Sequence, residues 1–197
     1  LIKKLVLDEI KIPMSRPSID YETQNSMFDV IKSGWLSQGK KTRKFENNLS
    51  EYLSSKVVVV NSGTSALTAA LSAHGIKPGD KVVVPSFTFI ATSSAAKILG
   101  ANILVADVDA ETLNISPDSI EKIVKEHNDV KAVIIVDIAG QPVDLEPIIE
   151  LSKRYNFILI EDAAQAIGSE YKNKKIGSFK HTSCFSFTVA KIITTVE

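Results

Sequence analysis

Five short runs of aliphatic, mostly β-branched residues recur along this chain with longer helical stretches between them, and no other feature narrows its fold as much. The runs are Val57-Val58-Val59-Val60, Lys81-Val82-Val83-Val84, Asn102-Ile103-Leu104-Val105, Ala132-Val133-Ile134-Ile135-Val136 and Phe157-Ile158-Leu159-Ile160. Apolar residues follow one another without polar alternation, as in strands covered on both faces. Residues 65–74, 89–99, 116–127 and 145–155 carry helical patterns, with Gly75 and Gly100 just past two of them and Ser116-Pro117 opening a third. The connections are too long for hairpins, which predicts an α/β fold with a mostly parallel sheet and helices on both faces. In such sheets ligands bind beyond the carboxyl ends of the strands, so chemistry is expected just after each apolar run.

Before Lys56 the pattern changes. Residues 20–32 and 44–53 read as helices, joined by the loop Ser33-Gly34-Trp35-Leu36-Ser37-Gln38-Gly39, whose tryptophan either anchors the loop or borders a site. The predicted organisation is therefore residues 1–55 as an N-terminal arm with helices packed against the sheet, and residues 56–197 as the large domain. Residues 1–10 alternate charged and aliphatic side chains and predict a loosely attached arm rather than a secretory signal.

Composition removes several function classes. The chain has 23 basic and 23 acidic side chains, so it lacks the positive excess that would draw it to nucleic acid or to an anionic membrane surface. Its one cysteine, Cys184, cannot build a disulfide framework, and the apolar runs are too short to span a bilayer. The expectation is a cytosolic protein acting on a small molecule. His74, His127 and His181 are widely spaced and only His181 has a cysteine near it, so no metal site is expected.

Three clusters follow the runs at the positions where chemistry is expected, and a fourth lies near the end of the chain. Asn61-Ser62-Gly63-Thr64-Ser65 gathers hydroxyls and backbone amides at a helix start, which suits an anion and equally suits a plain N-cap. Pro85-Ser86-Phe87-Thr88-Phe89 places two aromatic rings at the sheet edge, for stacking on a flat ring or for core packing. Glu161-Asp162-Ala163-Ala164-Gln165 puts an acid at the end of a buried strand, where it needs solvent, a turn to cap, or a cation such as a protonated pyridine nitrogen. Ser186 and Lys191 follow Cys184, and the aliphatic residues around the lysine predict a partly desolvated, nucleophilic amine.

An anion site, an aromatic platform, an acid for a ring nitrogen and a reactive lysine together suit pyridoxal 5'-phosphate. With Gly140-Gln141-Pro142 added, the ordered motifs resemble the DegT/DnrJ/EryC1/StrS family of nucleotide-sugar aminotransferases from about Ile12 to the end of the chain. The resemblance implies the fold-type I aminotransferase architecture, and that Ser62, Gly63, Thr64 and Ser186 bind the cofactor phosphate. It implies that Phe89 stacks on the ring, Asp162 pairs with the pyridine nitrogen, Gln165 bonds the ring hydroxyl oxygen and Lys191 forms the Schiff base. It further implies a homodimer with shared sites, a nucleotide-linked keto sugar as acceptor and glutamate as donor, in surface polysaccharide or related sugar biosynthesis. Family members commonly have Asn where Ile192 stands and Gly where Val196 stands, and they run to nearly twice this length, so the small carboxyl-terminal domain is expected to be absent here. The alternatives are a non-catalytic or regulatory protein of the same fold and a dehydratase that uses the same cofactor with histidine in place of the lysine.

Overall fold

The structure is a computed structural model that describes residues 15–195; the expectations for residues 1–10 and for Val196 lie outside the described residues. Residues 40–186 form one compact unit, and residues 15–39 with 187–195 form another. Each is described by itself.

The larger unit opens with helix α2 (Lys40–Leu53) and α3 (Gly63–Ala73), followed by β1 (Lys81–Pro85), α4 (Ala91–Ile98), β2 (Asn102–Ala106), α5 (Pro117–Glu126), β3 (Val130–Val136), α6 (Leu145–Tyr155) and β4 (Ile158–Asp162). A two-stranded hairpin, β5 (Glu170–Tyr171) with β6 (Lys174–Lys175), precedes β7 (Thr182–Cys184). Five strands pair in the order β2-β1-β3-β4-β7, every neighbour parallel. The chain steps from β1 outward to β2 and then crosses back to β3. The order therefore reverses between β1 and β3, and it is outside the carboxyl ends at such a reversal that open α/β sheets bind ligands.

Period-two alternation sends the side chains of each strand to opposite faces, and both faces are buried. Val82, Val84, Ala132, Ile134 and Ile160 join Leu67, Leu71, Ala95 and Ala96 of α3 and α4. Val83, Val133, Ile135 and Leu159 join Ile120 and Val124 of α5 and Leu145, Ile148 and Leu151 of α6. This is the expected sheet with helices on both faces. Helix boundaries follow local chemistry: Ser116 caps α5 by accepting from Ser119 N–H, with Pro117 in the first turn, and α6 ends where Asn156 takes the left-handed conformation.

The first predicted strand, residues 57–60, is not one. Its backbone N–H groups donate sideways instead, Val57 to Oγ of Ser50 at 3.1 Å and Val59 to Oε1 of Glu46 at 2.9 Å, both acceptors on α2. With those donors spent the segment lies extended outside the sheet, and Val58 is exposed.

The smaller unit contains α1 (Tyr21–Ser33), capped by Asp20, which accepts from Thr23 N–H at 2.8 Å, and closed by Gly34 at φ +68°. In the following loop Trp35 Nε1 donates to the Gln38 carbonyl oxygen at 3.2 Å, so the ring does fasten its own loop. Among the described residues no helix is long and apolar enough to cross a membrane.

Ile134 is fully buried at the centre of the sheet. Ile134→Ala is expected to lower the unfolding free energy by about 2–5 kcal/mol, read as a lower urea midpoint at unchanged slope.

Candidate active site

The helix α3 begins at Gly63 because Ser62 caps it: Ser62 Oγ accepts from Ser65 N–H at 3.1 Å and lies 3.0 Å from Ser65 Oγ. The N–H groups of Gly63 and Thr64 have no acceptor among the described residues, and both point out of the positive end of the helix dipole. Ser186, just past β7, packs against this helix start. A Cβ placed on Gly63 would come within 3.0 Å of Ser186 Cβ and 3.3 Å of its Oγ, so a larger residue would push Ser186 away by a few tenths of an ångström. Ser62, Gly63, Thr64 and Ser186, separated by more than a hundred positions in the chain, thus meet in one place.

Asp162 is the last residue of β4 and is nearly buried. It shares a face with Ile160, the side covered by α3 and α4, and Thr92 in the first turn of α4 donates from Oγ1 to its Oδ2 at 2.8 Å. Its Oδ1 accepts from Ala164 N–H at 3.2 Å, the turn-capping bond considered above. Charge-assisted donors of this kind favour the ionised carboxylate. Gln165 sits in the turn that follows. Its Oε1 accepts from Ala139 N–H at 2.7 Å; because an N–H must donate to oxygen, the amide is oriented and Nε2 remains as a donor. Gly140 packs so closely here, at φ +82°, that a Cβ would lie 2.9 Å from the Gln165 carbonyl oxygen.

Phe89 lies in the loop after β1 and is 72% exposed, and its carbonyl accepts from Thr92 N–H at 3.1 Å. The loops after β1, β3 and β4 therefore converge at the carboxyl edge of the sheet. Lys191 belongs to the smaller unit, half-buried in a turn in which its N–H donates to the Thr188 carbonyl at 2.9 Å. Within that unit its sequence neighbours Val189, Ile192 and Ile193 are exposed, so they do not wrap the lysine in the aliphatic sheath expected from sequence.

From sequence, Asp137 through Gln141 close another strand at this same edge and are a substrate-side candidate, and Glu161 stands beside Asp162; what the residue order does not show is that both acids are buried. Asp137 and Glu161 are both fully buried beside Asp162. Glu161 Oε2 accepts from Ser183 Oγ at 2.5 Å and lies 3.3 Å from His181 Nε2, in ion-pair range but off hydrogen-bond alignment; its Oε1 has no partner among the described residues. Asp137 Oδ1 accepts from Val143 N–H at 2.9 Å, while its Oδ2 has no partner among them. Burial, then the charge of Glu161, pushes the Asp137 carboxyl up to about 8, against a weaker opposing pull from the Val143 N–H. Burial likewise pushes the Cys184 thiol up to about 12, with Asp162 and Glu161 adding to it. The available signal was acidic residues closing two adjacent apolar runs, at Asp137 and at Glu161-Asp162. Among the described residues no group of three or more His, Cys, Asp or Glu side chains could hold a metal ion. A shallow groove lined by His74, Asp80, Lys131, Asn156 and Ile158 opens at the opposite, amino edge of the sheet and holds none of this chemistry.

The sequence model of the DegT/DnrJ/EryC1/StrS aminotransferase family matches residues 17–197. The chain belongs to this family. It is 41% identical over 188 residues to GDP-perosamine synthase of Escherichia coli O157:H7, covering 94% of this chain and 51% of that protein. Among solved structures it is similar to the Helicobacter pylori aminotransferase PseC, which is involved in pseudoaminic acid biosynthesis, with a TM-score of 0.89, 33% identity and coverage of 95% of this chain and 51% of that one. It is also similar to the Streptococcus pneumoniae protein Spr1654 in its PLP form, with a TM-score of 0.88 at 31% identity and coverage of 95% and 52%. The fold of this DegT-family chain is accordingly that of the fold-type I aminotransferases. The chain spans about half the length of the curated relatives it matches.

The buried carboxyl of Asp137 gives a signed pH dependence. It keeps its proton in the folded protein up to about pH 8, while an unfolded chain releases it near the ordinary value of 3.8. The unfolded state is therefore favoured progressively as pH rises between those values, and wild-type stability declines across that window. Asp137→Asn keeps the acceptor for Val143 N–H and cannot ionise, so its thermal midpoint is expected to gain on the wild type as pH is raised, with little difference near pH 4.

Proposed function

We propose that this chain supplies the cofactor-binding domain of a pyridoxal-phosphate-dependent aminotransferase that converts a nucleotide-linked keto sugar to an amino sugar. Glutamate is the proposed donor, and the product enters surface polysaccharide or a related sugar pathway in the cytosol. The observation that carries this reading is the meeting of Gly63 and Ser186 at the start of α3, above a buried carboxylate at the end of β4.

The residues fit the cofactor on physical grounds. The unpaired N–H groups of Gly63 and Thr64 with the hydroxyls of Ser62 and Ser186 suit a phosphate, and a methyl group on Gly63 would fill the cradle. Asp162, which accepts from Thr92 Oγ1 and Ala164 N–H, would as a carboxylate keep a ring nitrogen protonated. Gln165 Nε2 would donate to the ring hydroxyl oxygen, and the exposed ring of Phe89 would stack on the heterocycle. Bound pyridoxal phosphate supplies the electron sink through which an amino group passes from donor to acceptor. Lys191 Nζ would hold the cofactor covalently and, once displaced by the donor, carry the proton between donor carbon and cofactor carbon. Names of relatives such as GDP-perosamine synthase support a nucleotide-sugar acceptor, and a homodimer with sites completed across its interface is proposed on the family likeness.

Purified protein mixed with pyridoxal phosphate is expected to show a visible absorbance band that Lys191→Ala abolishes, and borohydride followed by peptide mass spectrometry should locate the cofactor on Lys191. Glutamate should then yield one equivalent of 2-oxoglutarate. A folded wild-type protein with no band overturns the cofactor assignment, and a band without 2-oxoglutarate overturns the donor. Gly63→Ala is expected to weaken pyridoxal phosphate binding by about tenfold or more, the equivalent of one charge-assisted hydrogen bond, measured by fluorescence titration.

A further inference from the structure

Asp162 does not stand alone at the end of β4. Thr92 is fully buried, and its Oγ1 lies 2.8 Å from Asp162 Oδ2 on one side and 2.8 Å from Thr88 Oγ1 on the other. A carboxylate can only accept, so the Thr92 proton points to Asp162. Thr92 has no second proton, so its remaining contact must be as acceptor from the Thr88 hydroxyl. The direction of the whole chain is thereby fixed: Thr88 O–H to Thr92 O–H to Asp162 Oδ2. Successive hydrogen bonds aligned in one sense polarise one another in a low-dielectric interior, which strengthens the last donor. Thr92 is β-branched and sits in the first turn of a helix, which leaves its hydroxyl two rotamers, and the bond to Asp162 selects one of them.

The geometry points to Thr92, backed by Thr88, as a positioning residue for Asp162 in the proposed aminotransferase: the two-hydroxyl chain fixes the carboxylate in its charged form and orientation, so that Asp162 holds a proton on the ring nitrogen of pyridoxal phosphate. This rests on the functional reading above and deepens it. Thr88 and Thr92 are spaced four apart across the junction between the loop after β1 and the first turn of α4. The same loop carries Phe89, so ring stacking and carboxylate orientation are built from one short segment.

The test uses pyridoxal phosphate labelled with 15N at the ring nitrogen, bound at saturation to the full chain and followed by NMR across pH. The wild type is expected to show the protonated-nitrogen position. Thr92→Val keeps the shape and removes the hydroxyl; it should lower the protonated-to-neutral ratio by about tenfold or more at a given pH, the equivalent of one hydrogen bond to a charged group. Thr92→Ser should restore the wild-type position, and Thr88→Val should move the signal the same way by a smaller amount. A Thr92→Val signal that follows the wild type throughout the pH range overturns the inference, as does a Thr92→Ser signal that behaves like the valine variant. If Thr92→Val does not fold, an unshifted Thr88→Val signal overturns it and a shifted one supports it. A wild-type protein that binds no pyridoxal phosphate, or binds it with a neutral ring nitrogen, overturns the reading of Asp162 itself and the role of Thr92 with it.

Discussion

One constraint places the buried acids of the larger unit: five parallel strands with both faces sealed by helices leave the carboxyl edge as the place where they can enter the interior. Apolar residues fill both sides of β1, β3 and β4 until their last positions. There the composition changes abruptly to Asp137 beyond β3 and Glu161 with Asp162 in β4. Placing three acids so close together beneath a surface is costly; Asp137 is kept protonated and accepts from Val143 N–H, Glu161 accepts from Ser183, and Asp162 accepts from Thr92 and Ala164 N–H. Thr92 comes from the first turn of α4 and Ser183 from β7, while Val143 and Ala164 come from the short connections beside the strands.

Much of this was visible in the residue order. Continuous β-branched runs identify β1 to β4, and the glycine and serine punctuation places α3, α4 and α5 within a few residues, because those signals act locally. The run at 57–60 misleads for the same reason. Its β propensity is real, but a ladder needs free N–H groups, and Glu46 and Ser50 on α2 take them. The hairpin at residues 170–175 was illegible because its turn is made by Lys172 and Asn173 at positive φ without a glycine. Strand β7 carries polar side chains and is a strand only because β4 offers it an edge.

The candidate site was legible in part. Asp162 and Gln165 stand at and just after the end of β4, where a parallel sheet exposes its edge; Ser62, Gly63 and Thr64 follow the run at 57–60, which is not a strand, and were legible as a helix start, while Ser186 could be placed only by pattern. Thr92 was not found because a threonine among alanines and serines of an amphipathic helix looks ordinary; its significance comes from a partner seventy positions away. The pairing of Glu161 with Ser183 likewise depends on the lateral alignment of β4 with β7, which no local signal encodes.

Cys184 adjoins Asp162 across that same β4–β7 pairing, and its thiol, raised to about 12, is held as the unreactive protonated form. Alkylating reagents can then react only when β7 detaches or the whole unit opens. The rate at which this lone sulfur is modified becomes an internal clock for local opening at the sheet edge, and because Cys184 is two residues from Ser186, the same clock reports on how firmly Ser186 is kept against the start of α3.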